Sequence, residues 1–121
     1  GGYSVTASES AALTAFSLSG TPTIPDTTCG ATPCTTVTSQ TWTNSAYKGF
    51  GYTITSLTGS PTLAFTAGQF RPFGVTAEQI FSYTSPVSLD QVYVCYSAIV
   101  SGTQAAGDYE NHVIYIATAT F

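Results

Sequence analysis

The chain has 121 residues, 43% of them hydrophobic and only 7% charged, with two basic and six acidic side chains and a formal net charge of -4. This length suits one domain with a real core. Two basic residues cannot form a patch for phosphates or anionic lipid headgroups, which argues against nucleic-acid and membrane-surface binding. No apolar run approaches the roughly 18 residues of a membrane span, so no membrane span is predicted.

The first 18 residues alternate in character, as an extended strand does. Tyr3 and Val5 share one face, and Leu13, Phe16 and Leu18 continue the apolar pattern. The segment that follows, residues 19–33, is rich in Gly, Thr and Pro and is typical of a linker or surface loop. Residues 1–18 are therefore either the first strand of their own domain or an arm that adds to the sheet of a neighbouring subunit.

The three cysteines differ in their surroundings. Cys29 and Cys34 flank a turn-rich stretch, where a small disulfide-closed loop is sterically plausible and unpaired thiols are the alternative. Their spacing matches neither a CxxC redox motif nor a zinc site, so no metal is predicted. Cys95 lies in the middle of a predicted strand and is interpreted as a small buried hydrophobic residue.

The middle of the chain contains several short strand signals. Residues 50–58 alternate, Gly59-Ser60-Pro61 marks a turn, residues 63–65 begin another strand, and Ile80–Tyr83 fits a strand better than a helical turn. No long helical periodicity is present. Strands at even spacing predict an all-β fold, an Ig-like antiparallel β-sandwich of about seven or eight strands with an extended N-terminal arm.

The last third of the chain has the most regular pattern. Residues 91–100 and 108–121 are rich in β-branched and aromatic side chains, contain no proline, and flank a short segment with Gly102 and Gly107. The pattern predicts two antiparallel strands joined as a hairpin inside a sheet. Neither strand alternates cleanly between apolar and polar residues. Both faces are therefore expected to be covered, by a second sheet or by another subunit.

Residues with catalytic chemistry are scarce. His112 is the single histidine, which excludes a multi-histidine metal site or a histidine pair for acid–base chemistry. Asp108, Glu110 and His112 would share one face of the last strand, and a solvated polar stripe is the favoured interpretation. No catalytic motif is found, so no enzyme activity and no cofactor are predicted.

Aromatic residues offer a further hypothesis, since exposed rings stack on sugar faces. Rings are just as expected to fill a β core or a subunit interface, because each buries roughly 150–250 Å². The residues concerned are Trp42, Tyr47, Phe50, Tyr52, Phe70 and Phe73.

The final segment, residues 101–121, resembles the closing strands of secreted prokaryotic Ig-like surface proteins and pilin-type subunits. Ala106-Gly107 and Tyr109 match the hairpin pattern of these proteins, and Val113–Phe121 matches their terminal strand. The resemblance covers about a quarter of the chain. It implies an extracellular filament in which the arm of one subunit completes the next subunit by donor-strand complementation.

These observations combine into one hypothesis. Residues 1–18 are predicted as a donor strand and residues 19–121 as a single β-sandwich domain. The function expected is that of a structural subunit of an extracellular or cell-surface filament, with copies of itself as partners and a host, cell or glycan surface as a further partner. The alternative is a monomeric adhesin or carbohydrate-binding module. The predicted assembly residues are Tyr3, Val5, Leu13, Phe16 and Leu18.

Overall fold

The computed structural model describes all residues from Gly1 to Phe121, and the protein is all-β with no helix. Its strands form three antiparallel sheets, one of four strands and two of two strands. The strand bounds are β1 Tyr3–Glu9, β2 Leu13–Thr14, β3 Thr23–Ile24, β4 Gly49–Thr58, β5 Thr62–Leu63, β6 Glu78–Tyr83, β7 Gln91–Ile99 and β8 Val113–Ala119.

The four-stranded sheet has the order β5-β6-β1-β8. Strand β1 is central: it pairs with β6 from Tyr3 to Ala7 and with β8 along its whole length. A register shift between Val5 and Thr6 interrupts the β1–β6 ladder. Residues 1–18 are thus packed within their own subunit, and the predicted boundary after residue 18 falls in the turn between β2 and β3.

Strands β4 and β7 form the second sheet and pair over nearly their full length. The far side of β4 is bridged by two loop segments, through Asp26 to Phe50 and through Arg71 to Tyr52. These segments lie so close that a Cβ on Gly51 would approach the Arg71 carbonyl oxygen to 2.9 Å. Glycine is required there because the backbones leave no room for a side chain.

One core cluster lies between the four-stranded sheet and the β4–β7 sheet, which are the two larger sheets of the protein. It combines side chains of β1 and β6 with side chains of β4, and Tyr52 and Phe73 stack with ring centroids 3.8 Å apart. Shared burial of these rings is the main driving force for joining the sheets, at roughly 1.5–3 kcal/mol for each large side chain removed from water. The buried members are Ala7, Ile24, Phe50, Tyr52, Ile54, Phe65, Phe73 and Ile80.

Arg71 is buried, with 4% of its surface exposed, and no carboxylate forms an ion pair with it. Its guanidinium instead donates to the backbone carbonyls of Val37 at 2.7 Å and Ala64 at 2.6 Å, with longer contacts to those of Thr36 and Gln79. It also lies 4.6 Å from the centroid of the Phe65 ring. Arg71 therefore ties three loop and strand segments together around the core.

The prediction of a terminal hairpin is wrong. Strand β7 pairs with β4 and strand β8 pairs with β1, so the two most regular strands belong to different sheets. Each is also an edge strand, although the sequence predicted positions inside a sheet. The segments predicted as strands at 50–58 and 80–83 are confirmed by β4 and β6, and the turn at 59–61 joins β4 to β5.

Candidate assembly interface

Strand β7 has one edge without a partner. The N–H and C=O groups of Phe50 and Tyr52 in β4 bond to the bridging loop segments, so the odd-numbered residues of β4 bond to β7. Backbone groups alternate in direction along an antiparallel strand. The N–H and C=O groups of the odd-numbered residues of β7 therefore point toward β4, and those of the even-numbered residues point away from it in the plane of the sheet. The groups left without a partner belong to Val92, Val94, Tyr96 and Ala98.

Strand β8 has a second free edge. The His112 carbonyl accepts from Ser10 and the Thr120 N–H donates to Gly2, so the even-numbered residues of β8 face β1. The same alternation leaves the N–H and C=O groups of the odd-numbered residues without a partner. They belong to Val113, Tyr115, Ala117 and Ala119, and we call these two rows together the open edges.

The side chains at the open edges are apolar and exposed. Tyr96 is 52% exposed and Tyr115 41% exposed, although both belong to the core-facing rows of their strands. Ile114 and Ile116 are about half exposed on the other face of β8. The two strands that were expected to be covered on both faces therefore leave large apolar side chains exposed to solvent.

A tyrosine pair joins the two edges. The hydroxyl oxygens of Tyr96 and Tyr115 are 2.5 Å apart, and the Tyr96 ring stacks on Phe50 at a centroid distance of 6.0 Å. Burial, together with the hydrogen bond to Tyr96, raises the pKa of Tyr115. The Tyr115 hydroxyl therefore stays protonated at physiological pH, and neither strand contains a charged side chain.

The five predicted assembly residues lie in different environments within their own subunit. Val5 and Leu13 pack against the core, whereas Phe16 is 62% exposed. The Tyr3 hydroxyl donates to Asp90 at 2.6 Å. Leu18 lies against Gly107, where a Cβ would approach its Cδ1 to 2.7 Å. Gly107 therefore permits a close contact and does not adopt a left-handed turn conformation.

The end of β1 is held by a buried pair of carboxyl groups. Glu9 is only 3% exposed, and Asn111 Nδ2 donates to its Oε2 at 2.9 Å. Burial, followed by the hydrogen bond with Asp26 and its charge, raises the pKa of Glu9 to about 8. Asp26 Oδ1 is buried and has no other hydrogen-bond donor. A proton on Glu9 supplies that donor, so the two groups share one proton at neutral pH.

The predicted disulfide between Cys29 and Cys34 is present. Both sulfur atoms lie in a second buried cluster with Trp42, whose indole N–H donates to the Tyr47 carbonyl at 2.9 Å. The prediction for Cys95 is wrong: it is exposed on β7 as a free thiol, because it lies on the outward face opposite Thr53.

Replacing Cys29 and Cys34 together by alanine is expected to lower the free energy of unfolding by about 2 kcal/mol, because closing so short a loop removes little chain entropy. Urea denaturation with and without reductant measures the effect. Cys95→Ala is the matched control and should change stability by less than about 0.5 kcal/mol. A loss several times larger would mean that the disulfide organises the cluster around Trp42.

The aromatic set considered for sugar stacking is largely part of the interior. Trp42, Phe50, Tyr52 and Phe73 are between 1% and 8% exposed. Their faces contact one another and the core, and Trp42 meets Phe70 edge to face at 5.5 Å. These rings stabilise the fold and do not form a surface platform.

Asp108, Glu110 and His112 precede β8 and do not lie within it. The chain contains no group of three or more acidic, histidine or cysteine side chains placed to hold a metal ion. His112 is exposed, and its backbone N–H donates a hydrogen bond to the Ser10 hydroxyl oxygen at 3.0 Å. The side chain makes no hydrogen bond of its own.

His112→Ala should therefore change the free energy of unfolding by less than about 0.5 kcal/mol and shift the thermal midpoint very little. Thermal unfolding at pH 7 measures this, and Ser10→Ala, which removes the acceptor of the backbone bond, is the comparison expected to show the larger loss. A greater loss for His112→Ala than for Ser10→Ala would contradict the exposed placement.

Sequence reasoning missed the open edges and the pair of Glu9 and Asp26. One signal was present for the edges: residues 91–100 and 113–121 contain no charged side chain and no proline. Edge strands are normally protected by such residues. The carboxyl pair left no comparable signal, because nothing in the sequence distinguishes two acidic residues 17 positions apart from ordinary surface carboxylates.

No protein-family model, curated protein or solved structure matches this chain. The chain has no helix of the length and apolar character needed to cross a membrane.

Proposed function

We propose that the protein is a structural subunit of an extracellular filament, built as an Ig-like β-sandwich that assembles by β-strand addition between copies. The observation that carries this proposal is the pair of open edges, where unpaired backbone groups and half-exposed apolar side chains coincide. Such edges associate readily with further strands. A subunit that functions within an assembly has these edges covered.

Two features favour the sandwich architecture. The four-stranded sheet and the β4–β7 sheet share one core, and the hydroxyls of Tyr96 in β7 and Tyr115 in β8 meet between them. Tyr109 packs on the core while its hydroxyl donates to the Ala105 carbonyl four residues upstream at 2.7 Å. A tyrosine bonded back to the preceding backbone is a recurrent feature of Ig-like domains.

The extracellular location is supported by the Cys29–Cys34 disulfide, since disulfides persist in oxidising compartments. It also agrees with the low charge content, which suits a surface covered by neighbouring copies. No observation favours the carbohydrate-binding alternative. The protein has one pocket of about 360 Å³ beside Pro86–Asp90, and none of the six aromatic residues considered above lines it.

Exchange of the arm is the proposed link between consecutive subunits. Because β1 is central in its own sheet, exchange means that residues 1–18 leave this slot and the arm of a neighbour fills it. The contacts of β1 with β6 and β8 are the same in both cases. Only the connection through the β2–β3 turn has to open.

Paired cysteines in facing positions distinguish the two cases. Ser4 in β1 lies opposite Ser82 in β6. A Ser4→Cys/Ser82→Cys protein, also carrying Cys95→Ser to remove the free thiol, is assembled, oxidised and separated on a non-reducing denaturing gel. Electron microscopy of the same sample shows whether filaments form, and Ser4→Cys alone is the control.

Filaments with a ladder of covalent oligomers are the expected result, since the arm then belongs to another chain. Filaments that dissociate into oxidised monomers would support the filament subunit and overturn arm exchange. A chain that stays monomeric at high concentration would overturn the filament function itself.

A further inference from the structure

We infer that neighbouring subunits pair β8 of one copy with β7 of the next, which joins the four-stranded sheet of one copy to the β4–β7 sheet of the next as one six-stranded sheet. This inference rests on the proposed filament function and names a second contact, which acts together with arm exchange and is required for the filament. Two different edges meet in such a contact, so it is heterologous. Heterologous contacts repeat from copy to copy and generate an open-ended assembly when the rotation between copies does not close a ring.

Counting the edges favours this pairing. Each subunit has one free edge on β7 and one on β8. An exchanged arm fills the slot between β6 and β8 and leaves both of these edges open, because each chain has only one arm. Pairing β8 with β7 of the next copy satisfies both of these edges except at the two filament ends.

The charge of the two edges fits a second copy of the same chain. Neither β7 nor β8 contains a charged residue, whereas the chain as a whole has a net charge of -4. Two copies therefore meet at the uncharged part of a negatively charged molecule. A basic partner would find no complementary charge on these strands.

The apolar surface exposed on β7 and β8 is large enough for a contact between two subunits. The half-exposed large side chains on and beside the two strands offer on the order of 500 Å² of apolar surface to each contact. Two extended backbones add their own surface, which brings the contact close to the roughly 1,000 Å² of a stable interface. These side chains are Tyr93, Tyr96, Val100, Ile114, Tyr115 and Ile116.

Two matched substitutions block one edge each. Ala98 in β7 and Ala117 in β8 are exposed and turn their N–H groups outward, so a proline at either position removes no bond of the subunit's own ladders. Ala98→Pro and Ala117→Pro are each expected to abolish filament formation at concentrations at which the unmodified protein assembles. Thermal unfolding checks that both remain folded. Ala98→Lys and Ala117→Lys provide the same test where proline disturbs the strand.

Mixing the two blocked proteins is the deciding step. Both variants are prepared in the Ser4→Cys/Ser82→Cys/Cys95→Ser protein and oxidised as monomers, which locks each arm in its own subunit. Head-to-tail pairing then predicts that an equimolar mixture forms a discrete heterodimer, because one protein keeps a free β8 and the other a free β7. Sedimentation velocity measures the masses. Val75→Lys, at a loop position that is 76% exposed, is the control for added charge and should assemble normally.

Amide hydrogen exchange gives an independent readout. On assembly, protection should appear at the even-numbered amides of β7 and at the odd-numbered amides of β8. Protection on β8 alone, or dimers formed by Ala98→Pro alone, would show two-fold β8–β8 pairing and overturn the inference. Filaments in which neither edge gains protection would also overturn it while leaving the filament function intact. A chain that never associates would overturn the filament function itself.

Discussion

Arg71→Met is expected to lower the free energy of unfolding by about 3–5 kcal/mol, because hydrogen bonds from a charged donor contribute roughly 1.5–3 kcal/mol each and methionine leaves their acceptors unsatisfied. The Val37 and Ala64 carbonyls accept the two shortest of these bonds. Methionine occupies a similar volume, so a cavity accounts for little of the loss. The contact between the guanidinium and the Phe65 ring is also removed.

Urea denaturation of the monomer at pH 7 measures this effect, with a shift in midpoint at constant slope. Lys48→Met is the matched control, since it removes the same charge from an exposed side chain that makes one hydrogen bond, to the Ser45 carbonyl. The control should stay within about 0.5 kcal/mol of the parent protein. A loss below about 1 kcal/mol for Arg71→Met would mean that water replaces the guanidinium among the carbonyls.

Glu9→Gln is expected to remove a dependence of stability on pH. The folded protein holds a proton on Glu9 up to a pKa of about 8, whereas an ordinary glutamate releases it near 4.5. Between these values the folded state binds more protons than the unfolded state, so stability falls as pH rises from about 4.5 to about 8. Below that window the contribution is fully present, and above it the contribution is lost.

The slope within this window is at most about 1.4 kcal/mol per pH unit, so the total from pH 4.5 to about 8 is at most about 5 kcal/mol. Glutamine cannot ionise, yet its amide can still donate to Asp26. We therefore expect the substituted protein to match the parent near pH 4 and to be the more stable of the two at pH 8.

Chemical denaturation across the range measures both curves. Glu110→Gln, at an exposed carboxylate, is the control and should leave the pH dependence of the parent protein unchanged. A Glu9→Gln protein whose stability still falls over the same window would show that Asp26 or another group holds the proton.

Local pattern identified several strands but not their partners. Alternation at residues 50–58 and the turn at Gly59-Ser60-Pro61 were sufficient for β4, because side-chain period and turn chemistry are local properties. The disulfide was equally predictable from the sequence, since its two cysteines are only five positions apart. Strand pairing is a long-range property. Two adjacent runs of strong strand formers predicted a hairpin, yet β8 pairs with β1 and β7 pairs with β4.

The candidate interface was only partly predictable for the same reason. The absence of clean alternation in β7 and β8 led to the expectation that a second sheet or another subunit covers both faces. Within the single chain both strands leave large apolar side chains exposed, because exposure depends on what lies opposite, and cover by another subunit stays a prediction. Cys95 was placed inside by the same reasoning. The guanidinium of Arg71 finds its carbonyl partners 7 to 35 residues away, a set that no spacing rule describes.

The distribution of the two basic side chains has a consequence for proteolysis. A protease that cuts after lysine or arginine meets only two candidate bonds in 121 residues. The one after Arg71 is buried and leads into Pro72, and the one after Lys48 leads directly into the buried Gly49 at the start of β4. Cleavage requires a segment that unfolds locally, and at both bonds the residue that follows the basic residue is buried. The folded chain therefore offers few cleavage sites to a trypsin-like protease.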